Sequence, residues 1–235
     1  MTWSLIAKDQ ATGQIGIAVA TRFFAVGARV PFIAAGHGGI ATQAMVNPYY
    51  GIDGVKLLRE GTHPREIVQT LIAADPGRES RQLHIIDTNG EIAAHTGRDC
   101  IGWCGHLQGD HFSIAGNMLA GEAVLRETAN AFLASASLPF AQRLIAALQA
   151  GETAGGDKRG RQSAALLIHG NEEWSALDLR VDDHPDPLAE LERLERVSRT
   201  HWTTFGQFMP TRDNPAGVTD RATIDAAVAA AGRHD

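Results

Sequence analysis

Hydrophobic positions change their period several times along the chain. Residues 3–7 (WSLIA) and 15–20 (IGIAVA) are rich in β-formers and flank DQATG, a turn-type cluster closing on Gly13, which predicts a β-hairpin. The second strand is apolar at nearly every position, so it is expected to be covered on both faces and to lie centrally in a sheet. VPFIAAG (30–36) and GGIATQA (38–44) follow as two short strands separated by glycines. Asn47-Pro48 offers an N-cap and a proline for the first helical position, opening a helix to about Glu60 that Gly61 ends. Pro64 begins another helix, with Ile67, Leu71 and Ile72 at helical spacing, which stops near Asp75-Pro76-Gly77.

RQLHIID and EIAAH read as strands joined at Thr88-Asn89-Gly90, and two more strand-like pieces surround QGDH within 98–116. After Gly116-Asn117 the spacing turns helical over about 119–135 and 139–150, with Pro139 at the break. AGETAGGDKRGRQ (150–162) is dense in glycine and charge and predicts an exposed loop. It leads into SAALLIH and WSALDLR, a strand pair turned at Gly170-Asn171, after which Asp182-Asp183-His184-Pro185 is expected to cap a helix carrying Leu188, Leu191 and Leu194. An aromatic, proline-bearing stretch then precedes an alanine-rich helix at 218–231.

Helices thus arrive in pairs between antiparallel hairpins and do not alternate singly with strands. That excludes a doubly wound sheet and favours two sheets stacked face to face between helical layers. The expected fold is α+β, a four-layer αββα sandwich over residues 1–199, with residues 200–235 as a C-terminal helical appendage packed on it.

Composition narrows the function. The 235 residues are 44% hydrophobic and carry a formal charge of -6, which suits a sizeable core and argues against the broad positive surface that nucleic acid or an anionic membrane needs. The first residues contain neither a basic region nor a long apolar run, and no stretch approaches the roughly 18 apolar residues of a membrane span, so a cytoplasmic protein is expected. Two cysteines, Cys100 and Cys104, are too few for a disulfide framework or a zinc site and read as reduced strand residues. The histidines are scattered, and the glycine-rich loop matches no phosphate or dinucleotide pattern, so neither a metal nor a cofactor is expected.

Four phrases, TGQIGIAVATRFFAVG, GIATQAMVNPYYG, AGGDKRGRQSAALLI and VDDHPDPLAEL, resemble a bacterial family of uncharacterised proteins, DUF1028, over residues 1 to about 196. The order of elements resembles the Ntn-hydrolase superfamily and its proteasome β-subunits. The resemblance implies that Thr2 stands where those enzymes keep their N-terminal nucleophile once Met1 is removed. It places Ser163 as a supporting serine, Asp182 or Asp183 as a supporting aspartate, and Gly116-Asn117 where a glycine-rich loop approaches the site. The sequence departs from that pattern in two places. Ala20-Thr21-Arg22 stands where the enzymes have an aspartate, and their lysine is matched only by the nearby Arg29, with no lysine between Lys8 and Lys56.

The chemistry of the candidates follows from their side chains. An N-terminal threonine hydroxyl needs a base, and its own α-amine, with an ordinary pKa of about 7.7–8.0, can serve. Asn117 and neighbouring backbone N–H groups are candidates to stabilise an oxyanion, with Ser163 and Asp183 orienting the nucleophile. Asp157, Arg161 and Gln162 in the glycine-rich loop suit either a carboxylate-bearing ligand or a solvated loop with local ion pairs. Of Asp182 and Asp183, one is expected to cap the helix and the other to face the site. Arg22, Thr42 and Gln43, polar groups at strand ends, are further substrate-binding candidates, whereas Asn47 reads as a helix cap. The leading expectation is an amidohydrolase acting on a small amide or short peptide-like substrate. The alternatives are a non-catalytic small-molecule binder on the same scaffold and a structural subunit of an assembly, and a homo-oligomer is expected.

Overall fold

The computed structural model of the protein describes residues 2–231. It is a mixed α/β structure with two antiparallel sheets and, among the described residues, seven α-helices. The N-terminal hairpin forms as expected from β1 (Thr2–Lys8) and β2 (Ile15–Thr21). These two lie at the middle of a six-stranded sheet, flanked by β9 (Ser163–His169) and β10 (Leu177–Val181) on one side and by β8 (Phe112–Leu119) and β7 (Trp103–Gly109) on the other. The second sheet runs β3 (Pro31–Ala34), β4 (Gly38–Ala44), β5 (Arg81–Asp87), β6 (Ile92–Thr96).

Strand alternation divides the side chains between three hydrophobic clusters. Trp3, Leu5 and Ala7 of β1, with Ala18 and Ala20 of β2, pack against α3 (Ala123–Ala134), α4 (Phe140–Thr153) and α5 (Pro187–Thr200). Ile40, Leu83 and Ile85 pack against α1 (Pro48–Arg59) and α2 (Pro64–Ala73). Ile6, Ile15, Ile17 and Val19 from the large sheet meet Ala41 and Ile86 from the small one, so the two sheets bury these faces against each other. β2 is buried at every position, which explains why its sequence shows no alternation.

Several expectations need correction. Gly116 and Asn117 lie inside β8, paired with Trp3 and Thr2, and form no glycine-rich loop; α3 starts only at Ala123. Asp186 is the N-cap of α5, accepting from Ala189 N at 3.3 Å, with Pro187 at the first turn. Asp182 and Asp183 are therefore not caps, because the helix starts only at Pro187 and Asp186 holds the capping position. β10 begins at Leu177, and residues 170–176 form a longer loop than a tight turn. Cys100 precedes β7 and only Cys104 is a strand residue; both are free thiols. Beyond α5, α6 (Trp202–Gly206) and α7 (Arg221–Ala231) follow, and the end of the appendage expected at 200–235 lies outside the described residues. Among the described residues no helix is long and apolar enough to cross a membrane.

Candidate functional site around Thr2

Thr2 opens β1 between two strand ends, opposite Thr21 of β2 on one side and Asn117 of β8 on the other. Its side chain is buried, and its hydroxyl lies 3.1 Å from that of Thr21. Two amides fix its carbonyl: Gln43 Nε2 and Asn117 Nδ2 each donate to it at 3.4 Å. A cavity of about 90 Å³ opens beside it, lined by Thr2, Phe23, Val26, Arg29, Val30, Gln43, Ala44 and Val46. Ala44 has φ 69, a left-handed conformation unusual for a residue with a Cβ, at the point where β4 ends on the cavity wall.

Behind Thr2 the facing sheets are polar. Gln43 Nε2 donates to Ala115 O at 3.1 Å and to Gln82 Oε1 at 2.8 Å. Gln82 Nε2 in turn donates to Gly116 O at 2.9 Å and Gly105 O at 3.0 Å, while Asn117 Nδ2 donates to Gln82 Oε1 at 3.0 Å. Carbonyl acceptors fix the orientation of both glutamine amides. Ser4 Oγ donates to Gln43 Oε1 at 2.7 Å, so its hydroxyl must accept from His84 Nε2, 2.8 Å away. His84 Nδ1 is then the acceptor for Ser113 Oγ at 3.0 Å. The network has one direction and a neutral imidazole at its centre. Complete burial, aided by the repulsion of His106, pushes the His84 pKa down to about 3.

The residues expected from sequence occupy different stations around this site. Ser163 is buried opposite Thr21, but its hydroxyl donates to Phe23 O and accepts from Val26 N at 3.2 Å, fastening the 22–30 segment that walls the cavity. Asp157 is 4% exposed; it accepts from Arg22 N at 2.8 Å and pairs with Arg159 at 3.2 Å. The glycine-rich loop is therefore not uniformly exposed, since a buried carboxylate anchors it. Asp182 holds the same 22–30 segment through its backbone, accepting from Ala25 N at 2.9 Å, while its carboxylate pairs with Arg180 at 3.1 Å. Asp183 accepts from Gln162 Nε2 at 3.1 Å, and Gln162 Oε1 accepts from Arg22 Nη1 at 2.7 Å, an exposed chain above the site. Arg161 pairs with Asp186 at 3.1 Å and Glu152 at 3.4 Å. Thr42 faces α1, donating to Asn47 O at 3.2 Å, because alternation on β4 puts Gln43 on the opposite face.

The structure thus gathers Thr2, Thr21, Gln43, Asn117 and Arg29, and leaves Thr42, Arg161 and Asp183 engaged elsewhere. It adds Ser4, Gln82, His84 and Ser113, which are not among the sequence candidates. Their signal was present: Thr2 and Ser4, and Gln82 and His84, are polar pairs two residues apart, and Ser113 and Asn117 lie four apart, in otherwise apolar strands, so each pair shares one face. A larger cavity of about 420 Å³ lies between α1 and α2, away from Thr2. Its polar wall converges on Asp75, which accepts from Tyr50 Oη at 2.9 Å and Arg81 Nε at 3.1 Å; burial alone would raise the Asp75 pKa, but these bonds and that from Gly77 N hold it at about 2. That is a structural knot joining α1, α2 and β5. Among the described residues no group of three or more histidine, cysteine or acidic side chains is placed to hold a metal ion. Burial pushes the Cys100 thiol up to about 11, which leaves it un-ionised at neutral pH.

Known proteins place the chain in a family. The family of unknown function DUF1028 matches residues 2–191, and the protein belongs to it. The chain is similar to a crystal structure of a DUF1028 protein from Silicibacter pomeroyi, with 34% identity, a TM-score of 0.87, and coverage of 94% of this chain and 96% of that one. It is also similar, far more distantly, to Anbu, an ancestral beta-subunit from Yersinia bercovieri, at 11% identity and a TM-score of 0.39 over 89% of this chain and 99% of that one. No curated protein matches.

Proposed function

We propose that the protein is an Ntn-type hydrolase of amide bonds in small or peptide-like substrates, acting in the cytoplasm. Its two sheets and flanking helices would form a four-layer αββα sandwich, with residues 200–235 packed on it as an extension. The observation that carries this reading is the setting of Thr2: a buried threonine at the first position of a central strand, its hydroxyl at 3.1 Å from Thr21, beside a cavity.

Removal of Met1, which lies outside the described residues, would leave the Thr2 α-amine free to act as base. The Thr2 hydroxyl attacks the substrate carbonyl as the amine takes its proton. The tetrahedral oxyanion is stabilised by backbone N–H groups at the cavity wall, the C–N bond breaks, and the departing amine takes the proton. Water then hydrolyses the threonyl ester and frees the acid. Asn117 and Gln43, already donating to the Thr2 carbonyl, hold the nucleophile in place; Ser163, Asp157 and Asp182 support it indirectly by fixing the 22–30 segment. In a panel of short amides, Thr2→Ala is expected to remove turnover while the protein still folds, and Thr2→Ser to retain some of it. Undiminished turnover by Thr2→Ala would overturn the reading.

A non-catalytic binder on the same scaffold is the second reading. It is favoured by the cavity lining, which contains no carboxylate and no lysine among the described residues. That reading expects Met1 to stay in place and Thr2→Ala to leave ligand affinity unchanged with no turnover in either protein.

A further inference from the structure

Resting on the hydrolase reading, we propose that the substrate carries a small branched aliphatic side chain, seated in the cavity beside Thr2, and a free carboxylate bound by Arg29. N-acylated aliphatic amino acids and short peptides ending in one have this chemistry.

The size and walls of the cavity set the first half. Its volume of about 90 Å³ is the space of roughly three waters in the liquid. That suits a group of three or four carbons. Phe23, Val26, Val30, Ala44 and Val46 supply apolar walls. Gln43, the one amide in the lining, has both ends of its side chain committed, Oε1 to Ser4 and Nε2 to Gln82 and Ala115. Its N–H donors are therefore spent within the protein, and an aliphatic group fits without leaving a donor unsatisfied.

Charge sets the second half. Arg22, Arg159, Arg161 and Arg180 around the site are held by Gln162, Asp157, Asp186 with Glu152, and Asp182 respectively. Arg29 lines the cavity, is exposed, and has no acidic partner among the described residues. A cation without a partner in a chain of net charge -6 is available to a ligand, and a guanidinium binds a carboxylate in a two-pronged geometry that an amide cannot reproduce. The segment carrying it is rigidly seated: Val26 N donates to Ser163 Oγ at 3.2 Å and Ala25 N to Asp182 O at 2.9 Å. Arg29 is thus presented from a fixed backbone, which lowers the ordering cost of binding.

The test uses N-acetyl-L-valine and N-acetyl-L-valinamide as probes in calorimetric titrations of the full-length protein and of Arg29→Met, Arg29→Lys and Thr2→Ala. The wild type is expected to bind the acid at least about tenfold more tightly than the amide, the difference expected of one two-pronged charged contact. Arg29→Met should erase that preference, Arg29→Lys should reduce it, and Thr2→Ala should keep it. Equal affinities in the wild type, a preference that survives Arg29→Met, or no binding of either probe would overturn the inference. The hydrolase reading fails separately, through turnover that persists in Thr2→Ala, so the two failures are distinguishable.

Discussion

The interface between the two sheets has two unlike halves. Towards one end Ile6, Ile15, Ile17, Val19, Ala41 and Ile86 form an ordinary apolar contact. Towards the other, Thr2, Ser4, Ser113 and Asn117 of the large sheet meet Gln43, Gln82 and His84 of the small one, all buried and all hydrogen-bonded. Both halves share β1, β4 and β5 and follow the same alternation, so the backbone does not require the polar half. A well-packed apolar substitute for such a network is often as stable or more so. Its presence at the end where Thr2 and the cavity lie therefore argues for a role in positioning, with Gln43 and Asn117 clamping the Thr2 carbonyl as its last link.

The two halves should respond differently to substitution. The largest loss is expected for Gln82→Ala, which strips Gly105 O, Gly116 O and the amides of Gln43 and Asn117 of a partner. Unsatisfied buried groups of this kind cost on the order of 3 kcal/mol or more together, measurable by chemical denaturation. Equal stability of this variant and the wild type would remove the distinction between the halves.

Protons give the next largest effect. His84 is held neutral, with its folded pKa pushed to about 3, below the ordinary value near 6.5. Its contribution is fully present above pH 6.5. As pH falls from there towards 3 the unfolded chain takes up a proton that the folded chain refuses, so stability should fall by about 1.4 kcal/mol per pH unit. Denaturation midpoints between pH 7 and pH 4 should show that slope in the wild type, and His84→Asn should lose this part of it.

In the apolar half, Ile17→Val removes one methylene from a fully buried site and should cost about 1 kcal/mol, with the same pH profile as the wild type. Smallest of all, breaking the exposed Lys56–Asp53 pair by Lys56→Ala should change stability by less than about 0.5 kcal/mol.

The same contrast explains what the sequence could disclose. The hairpin of β1 and β2, the Asn47-Pro48 helix start and the paired helices were legible because each rests on local turn, cap or period signals. The polar seam was not, since Gln82 and His84 meet Ser4 and Gln43 only through a long-range sheet contact, and a polar residue in a strand looks solvent-facing until its partner strand is known. Loop chemistry misled for a related reason. The arginines of DKRGRQ looked ready for a ligand, yet Arg159 and Arg161 are held by Asp157, Glu152 and Asp186, while Arg29, noted only as the residue nearest the missing lysine, is the cation left beside Thr2. Asp182 and Asp183 read as caps from their place before a helical period, but the helix starts at Pro187 and Asp186 caps it.

Catalysis by Thr2 turns on whether it carries a free amine. The intact mass of the protein produced without a tag tests this most directly. A mass one methionine residue below that of the full sequence, with Thr2 first, is the result expected of an N-terminal nucleophile. A mass that retains Met1 in all of the protein would contradict it.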